Sequence, residues 1–115
     1  MDGKKFRKVI YYKSYFRDFL KAQTINVKKK IIWTLELIED IEKVQETYLK
    51  HISGTDGLYE IRINIGTNTY RIFCFFAEDK LVVLMNSFQK KTQKTPKSEI
   101  QKPVKLKAGY EQENK

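Results

Sequence analysis

Three groups of residues could act on a charged substrate, and all three lie in the second half of the chain. Glu60 and Arg62 stand two apart in the alternating run Leu58 to Ile65, so they share one side of a strand and read as an exposed-face pair. Arg71 heads a run whose remainder, Ile72-Phe73-Cys74-Phe75-Phe76, is apolar. A guanidinium beside such a strand is costly to bury unless a partner or a solvated groove receives it. The third group, Phe88-Gln89-Lys90-Lys91-Thr92-Gln93-Lys94-Thr95-Pro96-Lys97, sets basic and hydroxyl side chains where the last strand-like run ends. Neighbouring hairpin strands would gather Arg62, Arg71 and the Lys90-Lys91 pair on one basic concavity able to receive RNA phosphates. A protein-binding basic face and plain solvation are the alternatives on physics alone.

Other chemistries have less to work with. The chain holds one histidine, His51, and one cysteine, Cys74. They cannot supply the nitrogen and sulfur donors of a metal site, and the acidic residues cluster along a helical face without ligand spacing. A nucleophilic triad has no support, and His51 reads as a surface histidine. Gly54 and Gly57 precede a strand rather than open a helix, which excludes a phosphate-binding glycine loop. Neither a metal nor a cofactor is expected.

The charge points to a polyanion. The 115 residues carry a net charge of +9. Residues 1–24 have seven Lys/Arg against two Asp/Glu, and residues 86–115 have eight against three, so each end carries +5. The middle, residues 25–85, has eight against nine. A polyanionic partner is the natural inference from two basic ends around a balanced centre. With one cysteine no internal disulfide can form, which suits a reducing compartment. No stretch approaches the roughly 18 apolar residues of a membrane helix, and the start lacks a signal-peptide core. The reading is a single cytoplasmic, soluble domain over residues 1–115 with no membrane partner.

The elements that must position these residues form an α+β pattern. Lys8 to Lys13 reads as a first strand, and Ser14 as the cap of a short helix over Tyr15 to Leu20. Val27, Ile31, Leu35, Ile38, Ile41 and Val44 recur at steps of four and three, which predicts one amphipathic helix. Its lysines come first and its acids last, against the helix dipole, so packing must stabilise it. Ser53 to Gly57 is a turn cluster, followed by strand-like runs over residues 58–65, 69–76 and 80–88. Their close spacing predicts an antiparallel meander. The continuous apolar runs 72–76 and 81–85 predict a sheet covered on both faces there. Thr95-Pro96 looks like an N-cap with proline at the first helical position, opening a short C-terminal helix that contains Pro103 and Gly109. The expected fold is therefore N-terminal helices packed on a small antiparallel sheet with a short C-terminal helix.

These residues also carry a family likeness. Gly57-Leu58-Tyr59-Glu60-Ile61-Arg62, then Tyr70-Arg71-Ile72-Phe73, then Leu84-Met85-Asn86-Ser87-Phe88 through Pro96 resemble the RelE/ParE toxin superfamily, in its HigB-like, phage-associated branch. The resemblance covers nearly the whole chain from about Lys8. It implies a RelE-like α+β fold, a ribosome-dependent messenger RNA endonuclease acting in the ribosomal A site, and a cognate helix-turn-helix antitoxin. A toxin–antitoxin heterotetramer is the implied neutralised form. Carried over by position, Arg62 falls on a basic residue of the first hairpin strand and Arg71 on the arginine that lies against the scissile phosphate. Lys90 and Lys91 fall on the basic pair that serves phosphate contact or leaving-group protonation. Glu60, Phe88, Thr92 and Lys94 complete the implied RNA-contacting set, with Phe88 and Tyr110 the nearest candidates for an aromatic stacking residue. Pro103 and Gly109 depart from a smoother C-terminal helix.

Cleavage through the RNA 2′-hydroxyl needs no metal, only a base, positive charge on the phosphate and an acid at the 5′-oxygen. Arg71 and Arg62 suit the phosphate, and Lys91, with Lys90 beside it, suits the proton donor. Glu60 is the carboxylate that could serve as base, an ion pair with a neighbouring cation being its other role. A lysine base would need its pKa lowered by like charges. Replacing Arg71 by alanine is expected to abolish activity and leave the fold intact. A ParE-like gyrase poison and a non-catalytic ribosome- or RNA-binding module are the rival functions.

Overall fold

The computed structural model describes residues 5–91 and 95–115. Its elements run β1 (Lys8–Tyr11), α1 (Tyr15–Lys21), α2 (Ile25–Asp40), β2 (Leu49–His51), β3 (Leu58–Ile65), β4 (Asn68–Glu78), β5 (Leu81–Lys90) and α3 (Lys97–Glu113). The strands form one sheet in the order β1-β5-β4-β3-β2. The α+β architecture is as expected, and β3, β4 and β5 form the antiparallel meander.

The sheet as a whole is mixed rather than antiparallel, because β1 pairs with β5 in parallel, from Lys8 opposite Leu81 to Tyr11 opposite Leu84. A parallel pair needs a long crossover, and the chain between β1 and β5 provides it. The sequence reading also passed over β2. The turn cluster at residues 53–57 closes a hairpin in which Lys50 stands opposite Glu60 and His51 opposite Tyr59.

Two helix boundaries moved for identifiable reasons. Thr24 caps α2, its hydroxyl accepting the Val27 N–H at 3.4 Å, so the helix begins at Ile25. At the far end Arg7 donates to the carbonyls of Ile38, Ile41 and Glu42 at 3.1, 2.7 and 2.7 Å. That guanidinium caps the helix from the N-terminal segment, and Ile41 turns extended, so Ile41 and Val44 lie beyond the helix despite their spacing. Ser14 makes no side-chain cap to α1. The C-terminal helix is not short: it spans 17 residues and runs through Pro103 and Gly109. Pro103 is buried. Gly109 leaves room for the Tyr12 ring, since a Cβ there would sit 3.1 Å from the Tyr12 hydroxyl.

Both sheet faces are covered, as the continuous apolar runs predict. Phe16, Val27, Ile31 and Ile38 of α1 and α2 pack on Ile61, Ile63, Ile72, Cys74, Val82 and Leu84. On the other face Leu58, Phe73, Phe75, Val83 and Met85 meet Ile100, Leu106 and Tyr110 of α3. Tyr110 stands edge-on to Tyr12 and Phe75 and so belongs to this core. No described helix is long and apolar enough to cross a membrane.

Candidate functional site

The register of the sheet builds the site on the α3 face. Lys50 of β2 faces Glu60 of β3; Arg62 of β3 faces Arg71 of β4; Arg71 faces Phe88 of β5, and Lys90 follows opposite Thr69. Lys90 reaches this face through an irregularity. Ile72 stands opposite Ser87 but Cys74 opposite Leu84, so Phe73 alone opposes Met85 and Asn86. One extra residue in β5 changes the phase of its alternation. Val83 and Met85 before the bulge, and Phe88 after it, therefore pack in the same core.

α3 starts beside these strands and closes a groove of about 460 Å³, whose lining includes Lys50, Glu60, Arg62, Lys90, Thr95, Lys97 and Ile100. The positive end of the α3 dipole adds to the field of the four cations. Glu60 is the one carboxylate among the described lining residues. Its side chain is only 9% exposed, which corrects the expectation of an exposed-face pair. The reason is local: Glu60 opposes Phe73 and lies under the start of α3, where the Thr95 hydroxyl donates to Oε1 at 2.8 Å. Oε2 lies 3.4 Å from Arg71 Nε and 3.5 Å from Arg62 Nε.

Arg71 is the more deeply placed of the two arginines, with 4% of its side chain exposed against 27% for Arg62. Nη1 donates to its own neighbour's carbonyl, Tyr70 O, at 3.1 Å. Nε makes no well-directed hydrogen bond, so the carboxylate holds it mainly by charge. Burial lowers the Arg71 pKa, the Glu60 charge opposes that shift, and the Arg62 charge adds to it. Lys90 is lowered as well, first by burial, then by Arg71, with Arg62 and Lys50 also lowering it and Glu60 raising it.

Of the residues expected to act together, Arg62 and Lys90 line the groove, and Arg71 does not line it but pairs with Glu60, which does. Lys91 is exposed just past the end of β5 and does not line the groove. Phe88 stacks on Phe73 with ring centres 5.6 Å apart, so its ring is partly committed to the core. Thr92 and Lys94 lie outside the described residues. Thr95, read from sequence as the cap of α3, stands one residue ahead of the Pro96 cap, and its hydroxyl donates to Glu60. Lys50 was not singled out; the alternation of Leu49-Lys50-His51 ahead of the turn cluster is the signal that places it across from Glu60. His51 is exposed and meets the Tyr59 ring edge-on. Among the described residues no three His, Cys, Asp or Glu side chains converge as a metal site requires.

This arrangement can hold an anion against several fixed cations, one of them a lysine whose pKa is lowered by burial and neighbouring charge. The fold is shared with a solved structure, the RelB-RelE antitoxin-toxin complex from Methanococcus jannaschii. The two match with a TM-score of 0.51 and 21% identity, over 70% of this chain and 88% of that one. At that identity the likeness is one of fold. No curated protein matches the chain in sequence. Residues 18–107, which include every described residue of the groove, match the sequence profile of the phage-derived protein Gp49-like family (DUF891), and the chain belongs to that family.

Proposed function

We propose that this protein is the toxin of a toxin–antitoxin pair, HigB-like within the RelE superfamily, and that it cleaves messenger RNA in the ribosomal A site. The observation that carries the reading is the groove: four cations around a single buried carboxylate, on a fold shared with the toxin of a RelB-RelE complex. Membership of a phage-derived family supports the same reading.

In the proposed reaction the 2′-oxygen attacks the adjacent phosphorus and the bond to the 5′-oxygen breaks, leaving a cyclic phosphate and a free 5′-hydroxyl. Arg62 meets the phosphate directly, and Arg71 adds positive charge from behind Glu60. Fixed cations of this kind stabilise the charge that develops on the phosphate. Lys90, depressed by burial and by neighbouring cations, is better placed than Lys91 for proton transfer. A lysine is a poor base near pH 7 when unperturbed, so the enzyme gains most from a ribosome that presents the messenger already bent. The basic ends of the chain suit docking on ribosomal RNA, and a cytoplasmic location follows from that target. An acidic face of a helix-turn-helix antitoxin is the proposed neutralising partner, within a heterotetramer.

The test is purified protein added to translating ribosomes and, separately, to naked messenger, with 5′-ends mapped. Codon-positioned cuts on ribosomes, lost in Arg62→Ala and weakened steeply by salt, are expected. Equally fast cutting of naked messenger would remove the ribosome from the account. Intact RNA with DNA damage on induced expression would point to a gyrase poison instead.

A further inference from the structure

We propose that Glu60 is a positioning residue rather than the base: its clamped carboxylate holds the Arg62 and Arg71 guanidinium groups in place and, through Thr95, ties the start of α3 to the groove. The activity and oligonucleotide-binding arms of this proposal rest on the nuclease reading; its titration arm does not.

The geometry argues against a base. A general base needs an oxygen within about 2.6–3.2 Å of the hydroxyl it deprotonates. Both oxygens of Glu60 are already engaged, Oε1 by the Thr95 hydroxyl at 2.8 Å and Oε2 by the guanidinium groups of Arg71 and Arg62 at 3.4 and 3.5 Å. The carboxylate also lies against the groove wall, 9% exposed.

What Glu60 does hold is extensive. It is the acidic partner of a guanidinium that is 4% exposed, and a buried cation left without its counter-charge is strongly unfavourable. It stands between Arg62 and Arg71, which face each other across β3 and β4 and repel. Thr95 lies 35 residues away in sequence and immediately precedes the Pro96 cap of α3. Its hydroxyl donates to Glu60, and that hydrogen bond fixes where α3 begins relative to the sheet. Lys97 and Ile100, which close the groove, follow from that point.

The charge of Glu60 also acts on Lys90, whose pKa is lowered first by burial and then by Arg71, and partly offsets that shift. Among the described residues, the charged groups facing Lys90 include Arg71 on β4, Arg62 and Glu60 on β3, and Lys50 on β2, with His51 and Lys97 on the same groove lining. The Glu60 charge favours the protonated amine, so neutralising it should move the Lys90 titration to lower pH.

Three variants test this: Glu60→Gln, which keeps an oxygen for Thr95, Thr95→Val, and Thr95→Ser. Lys90 is titrated by NMR in the free protein, affinity is measured for a 2′-O-methyl oligoribonucleotide that cannot be cut, and cleavage of ribosome-bound messenger is followed against pH. In Glu60→Gln the Lys90 titration and the pH profile should shift together to lower pH, with kcat reduced about tenfold or less. Thr95→Val should weaken oligonucleotide binding about tenfold, the effect of losing one hydrogen bond to a charged group, and Thr95→Ser should restore it. A loss of about 10³ in kcat at every pH in Glu60→Gln, with Lys90 titrating as before, would make Glu60 the base and overturn the proposal. If no form of the protein cuts RNA, the nuclease reading fails while the Lys90 titration still decides the positioning role. If Glu60→Gln does not fold, the threonine pair decides, and oligonucleotide binding unchanged in Thr95→Val overturns the latch.

Discussion

Replacing Arg71 by alanine should unfold the protein more readily, and the loss of activity it causes will then be uninformative about chemistry. The guanidinium is 4% exposed and pairs with a carboxylate that is 9% exposed. Breaking a buried pair by removing one partner costs about 3–5 kcal/mol. Glu60 keeps Arg62 at 3.5 Å and the Thr95 hydroxyl at 2.8 Å, which puts the loss at the lower end, about 3 kcal/mol. For a domain of this size, that corresponds to a fall of roughly 10–15 °C in Tm. Arg62, with 27% of its side chain exposed, shares Glu60 from the solvent side, and its removal should cost about 1 kcal/mol or less. Urea denaturation followed by circular dichroism at pH 7 measures both variants against the parent. An Arg71→Ala midpoint equivalent to within about 0.5 kcal/mol of the parent, the spread of ordinary surface substitutions, would refute the reasoning. So would equal losses for the two arginines. The expectation from sequence that Arg71→Ala leaves the fold intact is corrected by this burial, and Arg62→Ala is the variant that reports on function.

Three further predictions follow from buried or crowded groups. Burial pushes the Cys74 thiol far up, so Ellman's reagent at pH 8 should label it only at the rate of unfolding; prompt labelling of the native protein would contradict the core described for β4. Lys90 has its pKa lowered in the fold, so its penalty is fully present below that value and is relieved as pH rises toward 10.5. Stability should therefore rise with pH in that window in the parent and rise less in Lys90→Met, as read from urea midpoints between pH 7 and 10. Gly109→Ala gains about 1 kcal/mol of helix propensity, but its methyl group would press on the Tyr12 hydroxyl at 3.1 Å, so the net change should be near zero or unfavourable. In a Tyr12→Phe background the same substitution should stabilise by about 1 kcal/mol, and a thermal-melt cycle showing no coupling would refute the contact.

The strands and the two-sided core were legible because apolar runs and turn residues are local signals. Residues 72–76 and 81–85 needed no partner to be read as doubly covered. What escaped was set by contacts distant in sequence. Arg7 ends α2 from 31 to 35 residues away, so the spacing through Val44 overran the helix. The parallel pairing of β1 joins segments more than 70 residues apart, Lys8 to Tyr11 with Leu81 to Leu84, and leaves no mark in either. At the site, the residue types were legible and their facing was not. Strict alternation from Val83 and Met85 would bring Lys91 to the α3 face, and only the bulge opposite Phe73 puts Lys90 there. Glu60 looked exposed because nothing in its strand reveals that α3 returns over it.

The bulge has a bearing on how this protein tolerates changes of length. Loss of the single codon for Asn86 would turn β5 into a regular strand, with Met85 and Phe88 still on one face and Lys90 still two places beyond Phe88. Loss of the codon for Gln89 would leave the bulge in place and slide Lys91 into the position that Lys90 holds now. Either deletion thus leaves an amine at the groove, Lys90 itself in the first and, because the lysine is repeated, Lys91 in the second. The repeated lysine at the end of this ten-residue strand thereby makes the groove tolerant of a one-residue loss between the bulge and its end.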